Sequence, residues 1–375
     1  MENKKVLFVA TVVKKHINVF HLPYLKWFQE QGFETHVAAR DDFNGEVCYI
    51  PHCDKHFNIP FERSPLNKNN ISSYRQLTKI INKNQYEIIH CHTPIAAMLT
   101  RFAAIKARKK GTRVIYTAHG FHFFKGAPII NWLIYFPVEF ICSFFTDILI
   151  TINQEDYRLA KKVMKAKQVQ YIAGVGVDIK KFKNTNVDRD KKRKEIGVPE
   201  DAIMLLSVGE LNKNKNHEVI IEALKNINNL NIHYCIAGEG ELEIYLKEKA
   251  KYLGVEKQVH LLGFRSDILE LYKISDIFCF PSYREGLSVS LMEAMSSGLP
   301  IICSNIRGNI DLVDVKGGYL CEPDSIKNFE QSICKLIMDE EKRRKMTEYN
   351  KYKIKLFDKD LINDKMINYY MLSSL

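Results

Sequence analysis

Residues 280–300 read FPSYREGLSVSLMEAMSSGLP. Phe280 closes an apolar, strand-like run, and Arg284, Glu285 and Gly286 occupy a loop. A helix is predicted to begin near Ser288, with Ser288 or Ser290 as its cap and Gly298 and Pro300 as its end. A glycine loop running into a helix N-terminus offers free N–H groups and a positive dipole end, both suited to phosphate. Glu285 stands just before this anion site, and Glu293 lies about 7–8 Å along the axis from Ser288. Two carboxylates flanking a diphosphate can each hold hydroxyls, and a nucleotide sugar presents hydroxyls on both sides of its diphosphate. Taken alone, two glutamates eight apart are more often an exposed helix acid and an ordinary loop residue.

Working outward, short apolar runs alternate with helix-length segments. Strands are predicted at residues 5–13, 34–40, 87–93, 113–119, 147–153 and 169–177, then at 203–209, 232–240, 259–264, 277–282, 300–305 and 317–322. Most runs are apolar on both alternations, as parallel strands covered on both faces must be. The fold class is therefore α/β with parallel sheets. The 375 residues exceed the roughly 250–300 that one core supports, so two domains are expected. They are placed at 1–183 and 184–355, joined through the polar stretch 180–194 (KKFKNTNVDRDKKRK), with an amphipathic helix over 356–375 crossing back to the first domain. Ligands of such sheets bind beyond the carboxyl ends of the strands, so residues just after strands carry the chemistry.

Composition narrows the field. A hydrophobic share of 46% excludes a disordered chain, and 9 Cys without a CxxC pair exclude a disulfide scaffold. Lys14, Lys15 and His16 follow the apolar start where a signal peptide needs a cleavage site, so residues 5–13 read as a buried strand in a cytoplasmic protein. Pro137 and Glu139 interrupt the apolar segment 129–145, which argues against a bilayer span. The net charge of +11 is uneven: residues 1–183 carry 27 basic and 14 acidic side chains, whereas 184–375 carry 28 and 30. That excess suits an anionic partner of the first half.

Three features invite over-reading. Gly238-Glu-Gly240 begins a dinucleotide fingerprint, but Glu243 stands at its third glycine. Asp188-Arg-Asp190 reads as a solvated charge run rather than a metal pair. His90 and His92 share one face of a strand, yet no third ligand stands at a readable spacing, and no metal is expected. His119 closes a strand, and packing or capping accounts for such a histidine as readily as ligand contact does.

The window at 285–300 resembles the donor-site signature of glycosyltransferase family 4, a glutamate, seven residues, a second glutamate, then a small-residue helix end with G-x-P. The segments SVGELNKNKNH, AGEGELE, LGFRSDILELYKISDIFCFPSYREG and SNIRGNIDLV agree in order and spacing. In the first half, IIHCHTP, YTAHGFHFFKGAP, LITINQED and GVGVDIKKF resemble the branch that acts in capsule and exopolysaccharide assembly. The resemblance implies two Rossmann-like domains with parallel sheets facing across a cleft (the GT-B architecture), retention of configuration and no metal or other cofactor. It implies that Glu285 holds the donor sugar, Glu293 the ribose, Lys215 and the N–H groups of Gly286, Leu287 and Ser288 the diphosphate, and that Arg265 lies beside the nucleobase. His119 is expected to stabilise the transition state, with His122, Lys14 and His16 as acceptor-side candidates. The family usually has arginine directly after the glycine of its phosphate loop. Here Gly209 is followed by Glu210, which leaves more of the phosphate charge to Lys215 and Lys213.

The expected function is transfer from a nucleotide sugar, UDP-linked, to a polyprenyl-diphosphate-linked saccharide at the inner membrane face. The aromatic-rich segment 121–145 on the basic half would provide peripheral attachment to an anionic surface. Two alternatives stay open, a UDP-sugar 2-epimerase and a non-catalytic glycan- or lipid-binding scaffold. Nucleic acid is disfavoured, since charge comes without a recognised binding motif.

Overall fold

Apolar runs too short for helices and buried on both faces form two parallel sheets in the computed structural model, which describes residues 4–62, 64 and 67–372. The first sheet contains β1 (Lys5–Val12), β2 (Glu34–Arg40), β3 (Lys55–Asn58), β4 (Ile88–His92), β5 (Arg113–Ala118), β6 (Ile148–Thr151) and β7 (Gln168–Tyr171). Its strand order is β3-β2-β1-β4-β5-β6-β7. The second contains β8 (Ile203–Val208), β9 (Ile232–Ala237), β10 (Val259–Gly263), β11 (Ile277–Phe280), β12 (Ile301–Ser304) and β13 (Gly318–Cys321), ordered β10-β9-β8-β11-β12-β13. Each expected strand is present within about three residues of its expected ends, except that the one expected to reach residue 177 stops at Tyr171. The additional strand, β3, has the sequence KHFN at a sheet edge; it offers no apolar run and so escapes a reading based on periodicity.

In both sheets the order reverses beside the first strand, between β1 and β4 and between β8 and β11. Crossover connections leave in opposite directions there and open a crevice at the carboxyl ends. Strand register brings Val9 beside Cys91 in the first sheet and Phe278 beside Leu206 in the second.

The chain divides into two units, Met1–Val175 with Asn363–Leu375, and Gly176–Ile362. The division falls at Val175/Gly176, before the expected boundary at residue 183. Val177 bridges to Asp358, and the helix Ile179–Asn184 packs on the helix Val289–Ser296. The stretch 180–194 is likewise less solvated than its composition suggests. Phe182 and Arg193 are buried, and Arg189 and Arg193 each donate to Asp276 at 2.7 Å. The last helix, Lys359–Met371, begins in the second unit and ends in the first, where the Tyr370 hydroxyl lies 2.7 Å from His90 Nδ1.

No helix among the described residues is long and apolar enough to cross a membrane. In the helix Ile129–Ser143, Glu139 points inward, accepting from Arg101 Nη1 at 2.9 Å and from the Tyr116 hydroxyl at 3.1 Å. Trp132, Phe136 and Phe140 pack on the core, while Ile129, Ile130, Leu133, Ile134 and Ile141 are exposed.

Candidate active site

In the second unit, three segments following strands converge at the β8/β11 reversal. Asn212 caps a short turn at Lys213–Lys215, accepting from the Lys215 N–H at 3.1 Å. Asn214 ties this turn to the loop after β11: its carbonyl accepts from Tyr283 N at 2.8 Å and its amide donates to the Arg284 carbonyl at 3.0 Å. Lys215 Nζ then reaches Glu285 Oε1 at 2.7 Å and lies 4.8 Å from the centre of the Phe280 ring. A Cβ on Gly209 would stand 3.1 Å from Lys215 Cε, so glycine leaves room for the lysine stem. Glu210 is exposed and accepts from Asn212 within its own loop at 2.9 Å, away from the Lys215–Glu285 pair.

Beyond Glu285, Ser288 caps the helix Val289–Ser296, its side chain accepting from Leu291 N at 3.4 Å. Glu293 plays no part in capping. It accepts from the Tyr272 hydroxyl at 3.1 Å, and burial raises its carboxyl above the ordinary range. The N–H groups of Gly286, Leu287 and Ser288 meet no acceptor among the described residues. Gly308, at φ 79°, lets its loop press against the Gly286 carbonyl, where any Cβ would clash. Gly238 serves the same kind of close approach, to the Gly209 carbonyl, and so belongs to the loop packing. Arg265 lies in an ionic cluster, donating to Asp267 Oδ1 at 2.7 Å and to Glu195 Oε1 at 2.8 Å.

The first unit gathers different chemistry at the β1/β4 reversal. After β1 the chain makes one π-helical turn, Val13–Ile17, which separates the acceptor-side candidates. Lys14 turns outward to Glu46, 2.6 Å away, while His16 turns toward His21, His92 and His119. One ligating nitrogen from each of these four histidines lies within 4.8 Å of the others. His21 stacks on His92 with ring centroids 3.8 Å apart, and His119 Nε2 stands 3.4 Å from His92 Nδ1. Thr93, with the rare φ of 62°, turns the chain after β4 and is held by Thr11, whose N–H and hydroxyl lie 3.1 and 2.7 Å from the Thr93 hydroxyl. Burial lowers the His119 pKa to about 4 and that of His16 to about 3, the latter also opposed by His119. His21 and His92 fall well below the ordinary value for the same reason. His122 stands apart from the cluster, stacked on Tyr135 at 4.6 Å.

Residues 188–353 match the family described as Glycosyl transferases group 1, and residues 5–153 match Glycosyl transferase 4-like. EpsD of Bacillus subtilis (strain 168) is 41% identical over 348 residues, 92% of this chain and 90% of that protein. The chain belongs to glycosyltransferase family 4. A second relative, the UDP-Gal:alpha-D-GlcNAc-diphosphoundecaprenol alpha-1,3-galactosyltransferase of Escherichia coli, is 33% identical over 72% of this chain and 71% of its own. Among solved structures, Anabaena HepE in complex with UDP and glucose superposes with a TM-score of 0.80 at 20% identity, covering 98% of this chain and 99% of its own. That likeness shows the fold, GT-B. This glycosyltransferase therefore carries Lys215, Glu285 and the 286–288 N–H groups together in one unit, and His16 and His119 together in the other. His21, Tyr272 and Asn214 were missed by the sequence reading. For His21 the only cue is its five-residue distance from His16, since no motif includes it.

Proposed function

We propose that this glycosyltransferase moves a sugar, with retention, from a UDP-sugar to a polyprenyl-diphosphate-linked saccharide in surface-polysaccharide synthesis, with no divalent metal at the donor diphosphate. The observation that carries the reading is the Lys215–Glu285 pair at the mouth of the helix Val289–Ser296. An arriving diphosphate offers Lys215 a stronger anion than one carboxylate. Lys215 then turns to phosphate, and Glu285 is released to accept from sugar hydroxyls. The helix N-terminus and the N–H groups of residues 286–288 hold the remaining charge, a task elsewhere given to a cation. Glu293, steadied by Tyr272, accepts from the ribose, and Arg265 borders the base. UDP as the carrier is supported by the UDP-Gal donor for which the Escherichia coli relative is named and by the ligand of the HepE complex.

In the transfer, the bond from the anomeric carbon to phosphate oxygen breaks and the acceptor oxygen bonds to the same face of that carbon. The leaving diphosphate takes the acceptor proton. Catalysis rests on positioning and charge stabilisation, with His119 as the first unit's contribution. The exposed apolar stripe of the helix Ile129–Ser143, with Lys125 nearby, supports peripheral attachment at the inner face of the cell membrane.

A panel of UDP-sugars, each assayed for thermal stabilisation and for transfer to a polyprenyl-diphosphate-linked sugar, tests the reading. One UDP-sugar is expected to give a product of retained configuration, at a rate unchanged by Mg2+ or Mn2+. Stabilisation by a different nucleotide alone, or strict dependence on an added dication, would overturn the corresponding part.

A further inference from the structure

We propose that His16, His21, His92 and His119 form a binding site for a single transition-metal dication of the Zn2+ class. Four chain segments contribute: the π-helical turn after β1, the start of the next helix, the end of β4 and the end of β5. Each offers one imidazole nitrogen, and the four lie within 4.8 Å of one another. Tetrahedral zinc with bonds of about 2.0–2.1 Å draws its ligand nitrogens to within roughly 3.4 Å of each other, so small side-chain rotations close the set.

Two further observations favour a ligand over simple packing. Buried polar atoms are nearly always hydrogen-bonded, yet His16 Nε2, both ring nitrogens of His21 and His92 Nε2 are buried without a partner. His21 and His92 are only 3% and 0% exposed. The neighbouring His90 shows the contrast: its nitrogens are satisfied by the Tyr370 hydroxyl at 2.7 Å and the Thr117 hydroxyl at 2.8 Å, so it is excluded as a ligand and serves as support. Burial also keeps these imidazoles neutral, the form that binds metal, so no proton has to be displaced near neutral pH. An all-imidazole set selects Zn2+, Co2+, Ni2+ or Cu2+ over the oxygen-seeking Mg2+ and Ca2+.

The site shares His119 with the transfer reading, and the His119 nitrogen that ligates an ion is withdrawn from the sugar. The test is therefore made on the full chain, untagged and chelator-treated, with neither donor nor acceptor present, so that its outcome is independent of that reading. Titration with Co2+ is expected to yield one ion per chain with the intense visible bands of a tetrahedral site, displaced by Zn2+. X-ray absorption of the Zn2+ form is expected to show four imidazole nitrogens. His21→Gln and His92→Gln should each weaken binding by more than the roughly 10–100-fold that loss of an outer partner costs. His233→Gln, in the second unit, should bind as wild type. Absence of stoichiometric Co2+ binding by the wild-type chain would overturn the proposal, as would oxygen-dominated coordination or undiminished binding by both His21→Gln and His92→Gln. The wild-type spectra decide the matter even if a variant fails to fold.

Discussion

The β1/β4 and β8/β11 reversals are the same place in two sheets of matching order, yet the chain furnishes them oppositely. At β8/β11 stands an ion pair, Lys215 and Glu285, with a helix N-terminus beside it, in a half whose charges nearly cancel. At β1/β4 stand neutral imidazoles, in the half that carries the whole basic excess. Net charge therefore says little about the polarity of a site. The second unit places a few local charged groups at its reversal, while the first places neutral imidazoles there and buries charge elsewhere, as in the Arg101–Glu139 pair.

Acid should separate the units most strongly. The ordinary histidine pKa is about 6.5, and that of His16, His21, His90, His92 and His119 is lowered in the folded chain. Below pH 6.5 the unfolded chain takes up protons that the folded one refuses, so this stability is present above that pH and is lost as pH falls toward 4. Between pH 7 and 5.5 each histidine costs about 1 kcal/mol. In the second unit three histidines behave this way, His217, His233 and His260. Hydrogen exchange at the two pH values should show the first unit loosening more; equal loosening would erase the contrast.

Next in size is Glu285→Gln, expected to lower kcat on the order of 10²–10³-fold with the fold intact. His119→Ala in parallel measures the first unit's share. If both leave turnover within a few-fold of wild type, neither assignment stands. Leu133→Glu tests the outside of the first unit: withdrawing one leucine from apolar burial should weaken binding to anionic vesicles roughly ten-fold, with UDP affinity unchanged in isothermal titration. Tyr272→Phe should have the smallest effect. Losing one hydrogen bond to Glu293 is worth about 1 kcal/mol, or roughly five-fold in UDP affinity by the same method.

The contrast also explains what could be read in advance. The second unit's site was legible because its main pieces are contiguous: residues 285–293 carry the glycine loop, the cap and both glutamates in one run. The first unit's cluster draws on residues 16, 21, 92 and 119, and only the folded sheet brings them together. In the sequence His16 and His119 stand apart, His92 stands out only beside His90 without a readable third ligand, and His21 carries no motif. The structure supplies His16, His21 and His119 beside His92, while His90 bonds elsewhere. Charged residues misled in the same way. Arg193 in a polar run and Glu139 in an apolar one are each buried against an opposite charge distant in sequence, Asp276 and Arg101. Local composition cannot disclose such partners.

Tyr370 completes the first unit from near the far end of the numbering. Its ring lies against Phe8, Trp27 and Phe28, and its hydroxyl holds His90. On the ribosome, where domains form as they emerge, residues 1–175 must wait for all of the second unit to be synthesised before this ring arrives. The order of synthesis is thus the reverse of the order of completion: the second unit can close first, and the unit begun first is finished last.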